Sequence, residues 1–335
     1  MVLGGTNPHK ALVENLQGRG YYTILLDYLP NPPAAVEADE HIQESTLDKD
    51  KVLEIASERR ADLVIATCID QANVTACYVA EKCNLPHPYS YETACVIADK
   101  TSMKQGMVQA GIPTASFTIT DSWENLDKTN LSYPLVVKPS DTNGSKGVRR
   151  ADSDDELFMY LSEALALSRN GNAIVEDYLE GDEIGIDCFV SDGSVHVITM
   201  HKKRKPQRKD GTVLYSIGSI SPPPISKEVE RKIQTIAEDI CKTFELKNTP
   251  LLIQVMVNGE NVNVIEFAPR IGGGLNFRKI KLFAGFDILS AAVDSFLNKS
   301  VTVSFQKANL YYSENHIYTE PGIYGSIEGY QDLWV

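Results

Sequence analysis

The 335-residue sequence predicts an α/β fold in two or three domains. Over residues 1–83, apolar runs typical of strands alternate with segments typical of helices, which indicates a parallel sheet covered by helices on both faces. Further along, two apolar runs flank an Asn-Gly turn at residues 258–261, which indicates an antiparallel hairpin. The chain is long enough to bury two or three separate cores.

The amino-terminal part begins with alternating strands and helices. Strands are predicted at residues 1–3, 21–28 and 63–66, and helices at residues 8–17, 51–60 and 71–83. The Gly4-Gly5 pair invites a dinucleotide-binding interpretation, but the G-x-G-x-x-G pattern is absent. Asp27 is better explained as a cap at the end of the second strand. We therefore predict an amino-terminal, parallel Rossmann-like sheet at residues 1–98.

The rest of the chain predicts two further units. Asp99 is placed to cap a helix that Gly111 ends. The other predicted elements are helices at residues 154–167, 227–244 and 282–297, strands at residues 184–190 and 195–200, and the hairpin at residues 251–267. We predict a small subdomain at residues 99–182 and a larger, mixed-sheet carboxy-terminal subdomain at residues 183–335.

The hairpin carries polar side chains that suit a site. Its two strands would present Gln254 and Glu266 side by side, with Arg270 and the glycines 272–274 just beyond. A carboxylate, an amide oxygen and a guanidinium beside flexible backbone can hold Mg2+ and the phosphates of a nucleotide. The alternative is a surface hairpin in which Glu266 and Arg270 form an ordinary ion pair.

A second segment joins an apolar strand at residues 133–139 to a loop of small residues at 140–148. Backbone N–H groups of such a loop can approach phosphate oxygens, and Lys138 at the strand end supplies a positive charge. We expect its side chain to reach towards ligand rather than core. The order of lysine and glycines is not that of a Walker loop. A plain flexible turn is the alternative.

A third segment, residues 173–183, is a short strand that enters an acidic connector with Glu176 and Glu183 seven residues apart. Extended backbone here can pair with the edge of an adenine ring, and the carboxylate beyond it can accept hydrogen bonds from ribose hydroxyls. The alternative is an inter-domain linker with solvated acids.

In this order, the three segments resemble the ATP-grasp superfamily, and most closely its carbamoyl-phosphate-synthase-like and L-amino-acid-ligase branches. The resemblance covers nearly the whole chain, including the Asp99-Lys100 step and the Glu-x-x-x-Arg pattern at residues 266–270. It implies an ATP-grasp fold, ATP and Mg2+ as ligands, and a linker helix with a lid at residues 99–182.

The resemblance also implies roles for individual residues. Lys100 and Lys138 would contact the phosphates beneath the loop 144–147, residues 176–179 would form the adenine hinge, and Glu183 would bind ribose. The implied nucleotide contacts are Lys100, Lys138, Ser145, Gly147, Glu176, Asp177, Tyr178, Leu179 and Glu183.

Metal and phosphoryl contacts are implied in the same way. Gln254 and Glu266 would hold magnesium, and Arg270 would act with Lys138 on the transferring phosphoryl group. Glutamine at the first metal position is similar to carbamoyl-phosphate synthase, whereas most of the superfamily carries an acid there. Ala268 stands where asparagine is common, so a second magnesium must find a water or a phosphate oxygen instead.

Composition excludes several other classes. The net charge of −13 disfavours nucleic acid as a partner. No run of about 18 uncharged apolar residues predicts a membrane span, and the start lacks the basic region of a signal peptide. Six cysteines without a C-x-x-C pattern favour a reducing cytosol over a zinc site or a disulfide framework. The histidines form no hydrolytic motif.

Residues 201–209 form one basic stretch in this acidic chain. One interpretation is a solvated loop. The other is the border of an acceptor-substrate pocket, where Arg208 or a neighbour holds a substrate carboxylate or phosphate and His201 lies at the edge. For His201 the alternative is a packed or solvated histidine.

The sequence thus predicts a cytoplasmic, ATP-dependent carboxylate–amine ligase of the amino-acid or peptide type. It would form an acyl phosphate from a small carboxylate, join it to a small amine, and release ADP and phosphate. One alternative is a bicarbonate-activating enzyme similar to carbamoyl-phosphate synthase, favoured by Gln254. Another is an ATP-binding regulatory protein without turnover, favoured by Ala268. A homodimer is a further expectation.

Overall fold

The computed structural model describes residues 1–142, 144–205, 216–306, 310–316 and 326. Within these residues the strands form three sheets of three, four and six strands. The amino-terminal sheet is parallel and the other two are antiparallel. The predicted α/β class, with a parallel amino-terminal sheet, is confirmed.

The amino-terminal sheet lacks one predicted strand and contains one strand that was not predicted. Its elements are β1 (Val2–Leu3), α1 (Asn7–Gly18), β2 (Ile24–Asp27), β3 (Glu40–Gln43), α2 (Lys49–Glu58), α3 (Asp70–Cys83) and α4 (Tyr91–Ala98). The strand predicted at residues 63–66 is reduced to one parallel bridge, between Ile65 and Val2. β3 was not predicted because this edge strand is half-exposed and polar in sequence.

The four-stranded sheet follows a linker helix. The elements are α5 (Lys100–Gln109), β4 (Phe117–Thr120), β5 (Leu135–Pro139), β6 (Arg149–Ala151), α6 (Asp154–Leu167) and β7 (Ala173–Asp177). Asp99 caps α5 as predicted, because its carboxylate accepts a hydrogen bond from the Ser102 N–H at 2.8 Å. Alternate residues of β5 and β7, such as Val137 and Val175, pack against α6. Lys138 and Glu176 therefore project from the opposite face.

The six-stranded sheet forms the carboxy-terminal part. Its elements are β8 (Asp182–Ser191), β9 (Ser194–Arg204), β10 (Gly218–Ser221), α7 (Lys227–Thr243), β11 (Thr249–Asn258), β12 (Asn261–Ala268), α8 (Asn276–Ala284), α9 (Ile288–Phe296) and β13 (Tyr312–Asn315). The strand order is β12-β11-β8-β9-β10-β13. The predicted hairpin is confirmed, and Gln254 pairs with Glu266 in its register.

The single helix predicted at residues 282–297 is wrong. The chain forms α8 and α9 there, separated at Gly285, whose φ of 69° lies in the left-handed region and ends α8. The Asp287 carboxylate then accepts a hydrogen bond from the Ser290 N–H and caps α9. The apolar periodicity continues across the break, which hides it in the sequence.

Buried side chains join the six-stranded sheet to the amino-terminal part and to α5, whereas the four-stranded sheet packs a core of its own against α6. Met103 and Met107 of α5 share one core with Ile184 and Ile253 of the six-stranded sheet. The predicted limits at residues 98/99 and 182/183 stay predictions. No helix among the described residues is long and apolar enough to cross a membrane.

Candidate functional site

One face of the six-stranded sheet carries a row of residues that the ladder places side by side. Glu266 of β12 pairs with Gln254 of β11, Gln254 pairs with Gly185 of β8, and Gly185 pairs with His201 of β9. Directly paired residues share a face of a sheet, so this row forms the floor of one site.

Glu266 and Gln254 form the first contact of this row. The Gln254 Nε2 donates a hydrogen bond to Glu266 Oε1 at 2.8 Å, and the Gln254 Oε1 accepts one from the ammonium of Lys203. The second Glu266 oxygen lies 3.5 Å from Lys100 Nζ. Lys100 Nζ also donates to the Thr142 carbonyl at 2.5 Å. Lys100 therefore ties the base of the small-residue loop to the carboxylate at the end of the hairpin.

A second cluster is buried under the four-stranded sheet. The Glu176 carboxylate lies 2.5 Å from Lys138 Nζ and 2.8 Å from Lys104 Nζ. Burial alone would raise the pKa of Glu176, but the two ammonium groups outweigh it and lower the pKa to about 2. Burial lowers the pKa of Lys104, against the effect of Glu176. The cluster carries one net positive charge close to the loop.

This cluster places the Lys138 side chain on the face of the sheet away from its apolar core. Lys138 is only 5% exposed, because it pairs with Glu176 at the wall of a cavity. Glu176 itself lies in the central strand of its sheet, paired with both β4 and β5. Its carboxylate is held by the two lysines, and its backbone is already paired on both sides.

Lys104 was missed in the sequence. It lies four residues after Lys100 on α5, so both side chains project from one side of the helix. That spacing was the available signal. Lys104 is 1% exposed and also donates to Thr114 Oγ1 at 2.7 Å. A fully buried lysine with two partners is a stronger sign of a charge site than the exposed lysines of the chain.

Glu183 is held by the basic stretch. Its carboxylate lies 2.5 Å from Lys203 Nζ and 2.6 Å from Lys205 Nζ. Although burial opposes ionisation, these two lysines lower the pKa of Glu183 to about 2. The solvated-loop interpretation is therefore wrong for residues 201–205, most of which lie in β9. Arg208 lies outside the described residues.

The small-residue loop has the backbone that its composition predicts. Gly144, Ser145 and Gly147 all have φ between 59° and 76°. A Cβ at Gly147 would also lie 2.8 Å from Leu167, so glycine is required there by packing as well as by conformation. Ser145 lines the adjoining cavity, whereas Gly147 supports the turn behind it.

The two clusters and the loop enclose a narrow cavity of about 110 Å³. Most of the predicted nucleotide and metal residues line it: Lys100, Lys138, Ser145, Glu176, Asp177, Tyr178, Leu179, Glu183, Gln254 and Glu266. Apolar walls come from Val136, Met256 and Ile265. A lining that combines cationic groups with apolar side chains suits a molecule with a phosphate chain and a flat ring.

A wide cavity of about 520 Å³ adjoins the narrow one. Gln254, Glu266 and Ser145 line both. Its other side chains include Asp70, His201, Lys203, Arg270, Asn276, Lys279 and Glu314. The two cavities therefore meet at the carboxylate of Glu266.

Arg270 lines the wide cavity and not the narrow one. Its Nε and Nη2 donate to the two Asp70 oxygens at 2.5 and 2.9 Å, and its Nη1 donates to the Ile271 carbonyl. Burial alone would lower the pKa of Arg270, but Asp70 raises it. The same pairing holds the pKa of Asp70 below its usual range, against burial. Asp70 was not predicted, because it belongs to α3 in the amino-terminal part.

The oxygen atoms of Glu266 and Gln254 at the junction of the cavities suit one magnesium ion as ligands. Mg2+ is commonly bound by one or two carboxylates together with phosphate oxygens and water. Glu266 offers a partly exposed carboxylate, and Gln254 an amide oxygen that now accepts from Lys203. Ala268, two residues on, supplies no donor. Among the described residues, no cluster of three or more His, Cys, Asp or Glu side chains forms a metal site.

Comparison with known proteins relates part of the chain to one domain family. Residues 131–278 match the ATP-grasp domain family. The chain is 27% identical over 267 residues to the carbamoyl phosphate synthase large chain of Clostridium acetobutylicum, covering 75% of this chain and 24% of that protein. The match thus spans about a quarter of that relative's length.

Solved structures share the fold. The L-amino acid ligase from Bacillus licheniformis superposes with a TM-score of 0.75 at 21% identity, covering 89% of this chain and 73% of the ligase. The biotin carboxylase domain of the Hydrogenobacter thermophilus 2-oxoglutarate carboxylase, a dimer with MgADP, ADP and bicarbonate, gives a TM-score of 0.77 at 16% identity, covering 92% and 72%.

Proposed function

Because residues 131–278 constitute an ATP-grasp domain, we propose that this chain is an ADP-forming carboxylate–amine ligase. A carboxylate attacks the γ-phosphate of ATP and becomes an acyl phosphate, and an amine then displaces the phosphate. ATP and Mg2+ are the ligands of this reaction. The proposal also includes the cytosol as location and a homodimer as assembly.

The observation that carries the proposal is the meeting of two cavities at Gln254 and Glu266. The narrow cavity has the cationic and apolar lining that ATP requires, and the wide cavity has room for an organic acid and an amine. A phosphoryl group that passes from one to the other must cross the junction. This arrangement favours transfer of the terminal phosphoryl group.

The chain's own residues supply most of the electrostatic stabilisation. Lys138 and Lys104 share one carboxylate, so the cluster retains a positive charge for phosphate oxygens. Lys100 reaches the loop and Glu266, and Arg270 is held in place by Asp70. Bound at Glu266 and Gln254, magnesium would neutralise charge on the phosphates. Closure of the loop 144–147 would exclude water.

Bicarbonate activation is the second candidate. Gln254 and the match to carbamoyl phosphate synthase favour it. A cavity of about 520 Å³ is far larger than bicarbonate requires, which favours an organic carboxylate. The third candidate, ATP binding without turnover, rests on Ala268 alone.

The test is ADP release in the presence of ATP, Mg2+ and a mixture of L-amino acids. The ligase proposal expects ADP and phosphate that depend on the amino acids, with 18O from a labelled carboxylate recovered in phosphate. Release that depends on bicarbonate alone would support the second candidate. AMP and pyrophosphate as products would contradict phosphoryl transfer, and tight ATP binding without any product would support the third.

A further inference from the structure

His201 lines the wide cavity and forms a buried pair with Asp187 behind it. The two residues are 6% and 3% exposed. The His201 Nδ1 lies 3.6 Å from Asp187 Oδ2, which is longer than a hydrogen bond, and it has no other partner among the described residues. Burying an imidazole nitrogen without a partner costs free energy, so packing alone does not account for this pair.

Asp187 is fixed from two sides. Thr199 Oγ1 donates to Asp187 Oδ2 at 2.9 Å, and Asn276 Nδ2 at the start of α8 donates to Asp187 Oδ1 at 3.1 Å. Both carboxylate oxygens are thus oriented by residues from different elements. A carboxylate held in this way can orient an imidazole and stabilise the imidazolium that forms when the ring accepts a proton.

The other nitrogen of His201 points along the row to the junction of the cavities. A Cβ on Gly185 would lie 2.4 Å from His201 Nε2, so the ring occupies the space that a side chain would fill. Gly185 stands between His201 and Gln254 in that row. The missing side chain leaves His201 Nε2 facing the end where the acyl phosphate would form.

The cavity's carboxylates that could compete as bases are already engaged. Asp70 is held by Arg270, and Glu314 accepts hydrogen bonds from Lys279 and Ser219. Among the described residues that line the cavity, His201 combines burial, a fixed carboxylate partner and a nitrogen that faces the junction.

We propose that His201 is the base that accepts the proton of the acceptor amine, with Asp187 as its positioning residue. This rests on the ligase function proposed above. The amine nitrogen attacks the acyl carbon and forms the C–N bond. The bond from the acyl carbon to the phosphate oxygen breaks, and phosphate leaves with its electron pair. The proton lost by the nitrogen goes to His201 Nε2, and Asp187 stabilises the resulting cation.

The experiment separates amine attack from carboxylate activation. Three proteins are compared: wild type, His201→Gln and the control His196→Gln. His196 lies on the same strand as His201 but outside the cavity lining. Each protein is incubated with ATP, Mg2+ and a panel of L-amino acids, ammonia and simple primary amines. A parallel reaction adds hydroxylamine, which is uncharged at neutral pH and traps acyl phosphates as hydroxamates without needing a base. Amides are measured by mass spectrometry, and hydroxamates by their ferric colour.

We expect His201→Gln to form amides about 100-fold more slowly than wild type while its hydroxamate yield stays close to wild type. His196→Gln should match wild type in both. Equal loss of both products in His201→Gln, or no loss of either, would overturn the base assignment. Hydroxamate without any amide from wild type would overturn it too, because no amine step would exist. Failure of wild type to form hydroxamate or ADP would instead overturn the ligase function on which it rests.

Discussion

Two guanidinium nitrogens of Arg270 donate hydrogen bonds to the carboxylate of Asp70, which lies 200 residues earlier in the sequence. The contact joins the last residue of the Glu-x-x-x-Arg pattern to the first residue of α3. Arg270 therefore has a partner from the amino-terminal part before any substrate binds. We infer that this partner fixes the guanidinium at the wall of the wide cavity.

Replacing Asp70 by asparagine tests that contact. Asp70→Asn keeps the shape but leaves the Arg270 charge without its counter-ion, so the free energy of unfolding should fall by about 3 kcal/mol or more. Asp50→Asn is the matched control, because Asp50 is exposed and accepts only from Tyr78 in the contacts described. Its effect should stay within about 0.5 kcal/mol. Urea unfolding measures the free energy of unfolding of both variants. Equal losses would show that the buried Asp70–Arg270 pair contributes no more to stability than the surface contact of Asp50.

Lys138→Met tests the phosphate contact. The change removes one ammonium group and leaves Glu176 balanced by Lys104 alone, so the fold should persist. Loss of a charge-assisted contact should weaken ATP binding by about 1.5–3 kcal/mol. Titration calorimetry measures this, with Lys128→Met as the control, since Lys128 pairs with Asp154 at the surface. Unchanged ATP affinity in a folded Lys138→Met protein would rule out the contact.

Glu266→Gln tests the metal ligand. The amide keeps the size of the side chain but removes the carboxylate placed at the junction of the cavities, so turnover should fall by at least about 100-fold in a folded protein. Ala268→Asn, two residues away, should retain activity and can add a donor for a second magnesium ion. Rates measured against magnesium concentration separate the two variants. Near-native ADP production by Glu266→Gln would mean that the hairpin has only a structural role.

Glu176→Gln tests the buried charge cluster by pH. The pKa of Glu176 is about 2 in the folded protein, against an ordinary value of 4.5. Its stabilisation is therefore complete above pH 4.5 and is lost as the pH falls towards 2. At pH 7 the variant should be less stable by about 3–5 kcal/mol, because two buried ammonium groups lose their counter-ion. Unfolding from pH 7 to 2.5 should show the gap to wild type narrowing below pH 4.5. A constant gap would contradict the depressed pKa.

Local patterns predicted the elements whose signals lie within a few residues. The Asn-Gly turn and the apolar alternation on either side predicted the hairpin. The register set by the turn would pair Gln254 with Ile265, and a β-bulge between Gln254 and Val255 shifts it so that Gln254 pairs with Glu266. The helix at Asp154–Leu167 was predicted at its observed bounds, since an acidic first turn and a serine cap mark its start. The break at Gly285 was missed, because one glycine interrupts a helix only when its backbone turns left-handed.

The sequence by itself determined the α/β class, the hairpin and the three segments whose side chains line the narrow cavity. Only the tertiary structure decided which charges meet: Lys104 with Glu176, Lys203 with Glu183, and Asp70 with Arg270. The physical reason is the distance along the sequence between the residues that interact. Strand alternation and helix capping depend on neighbours in sequence, whereas a buried ion pair depends on which elements pack together, and that choice is made by the cores of the whole chain.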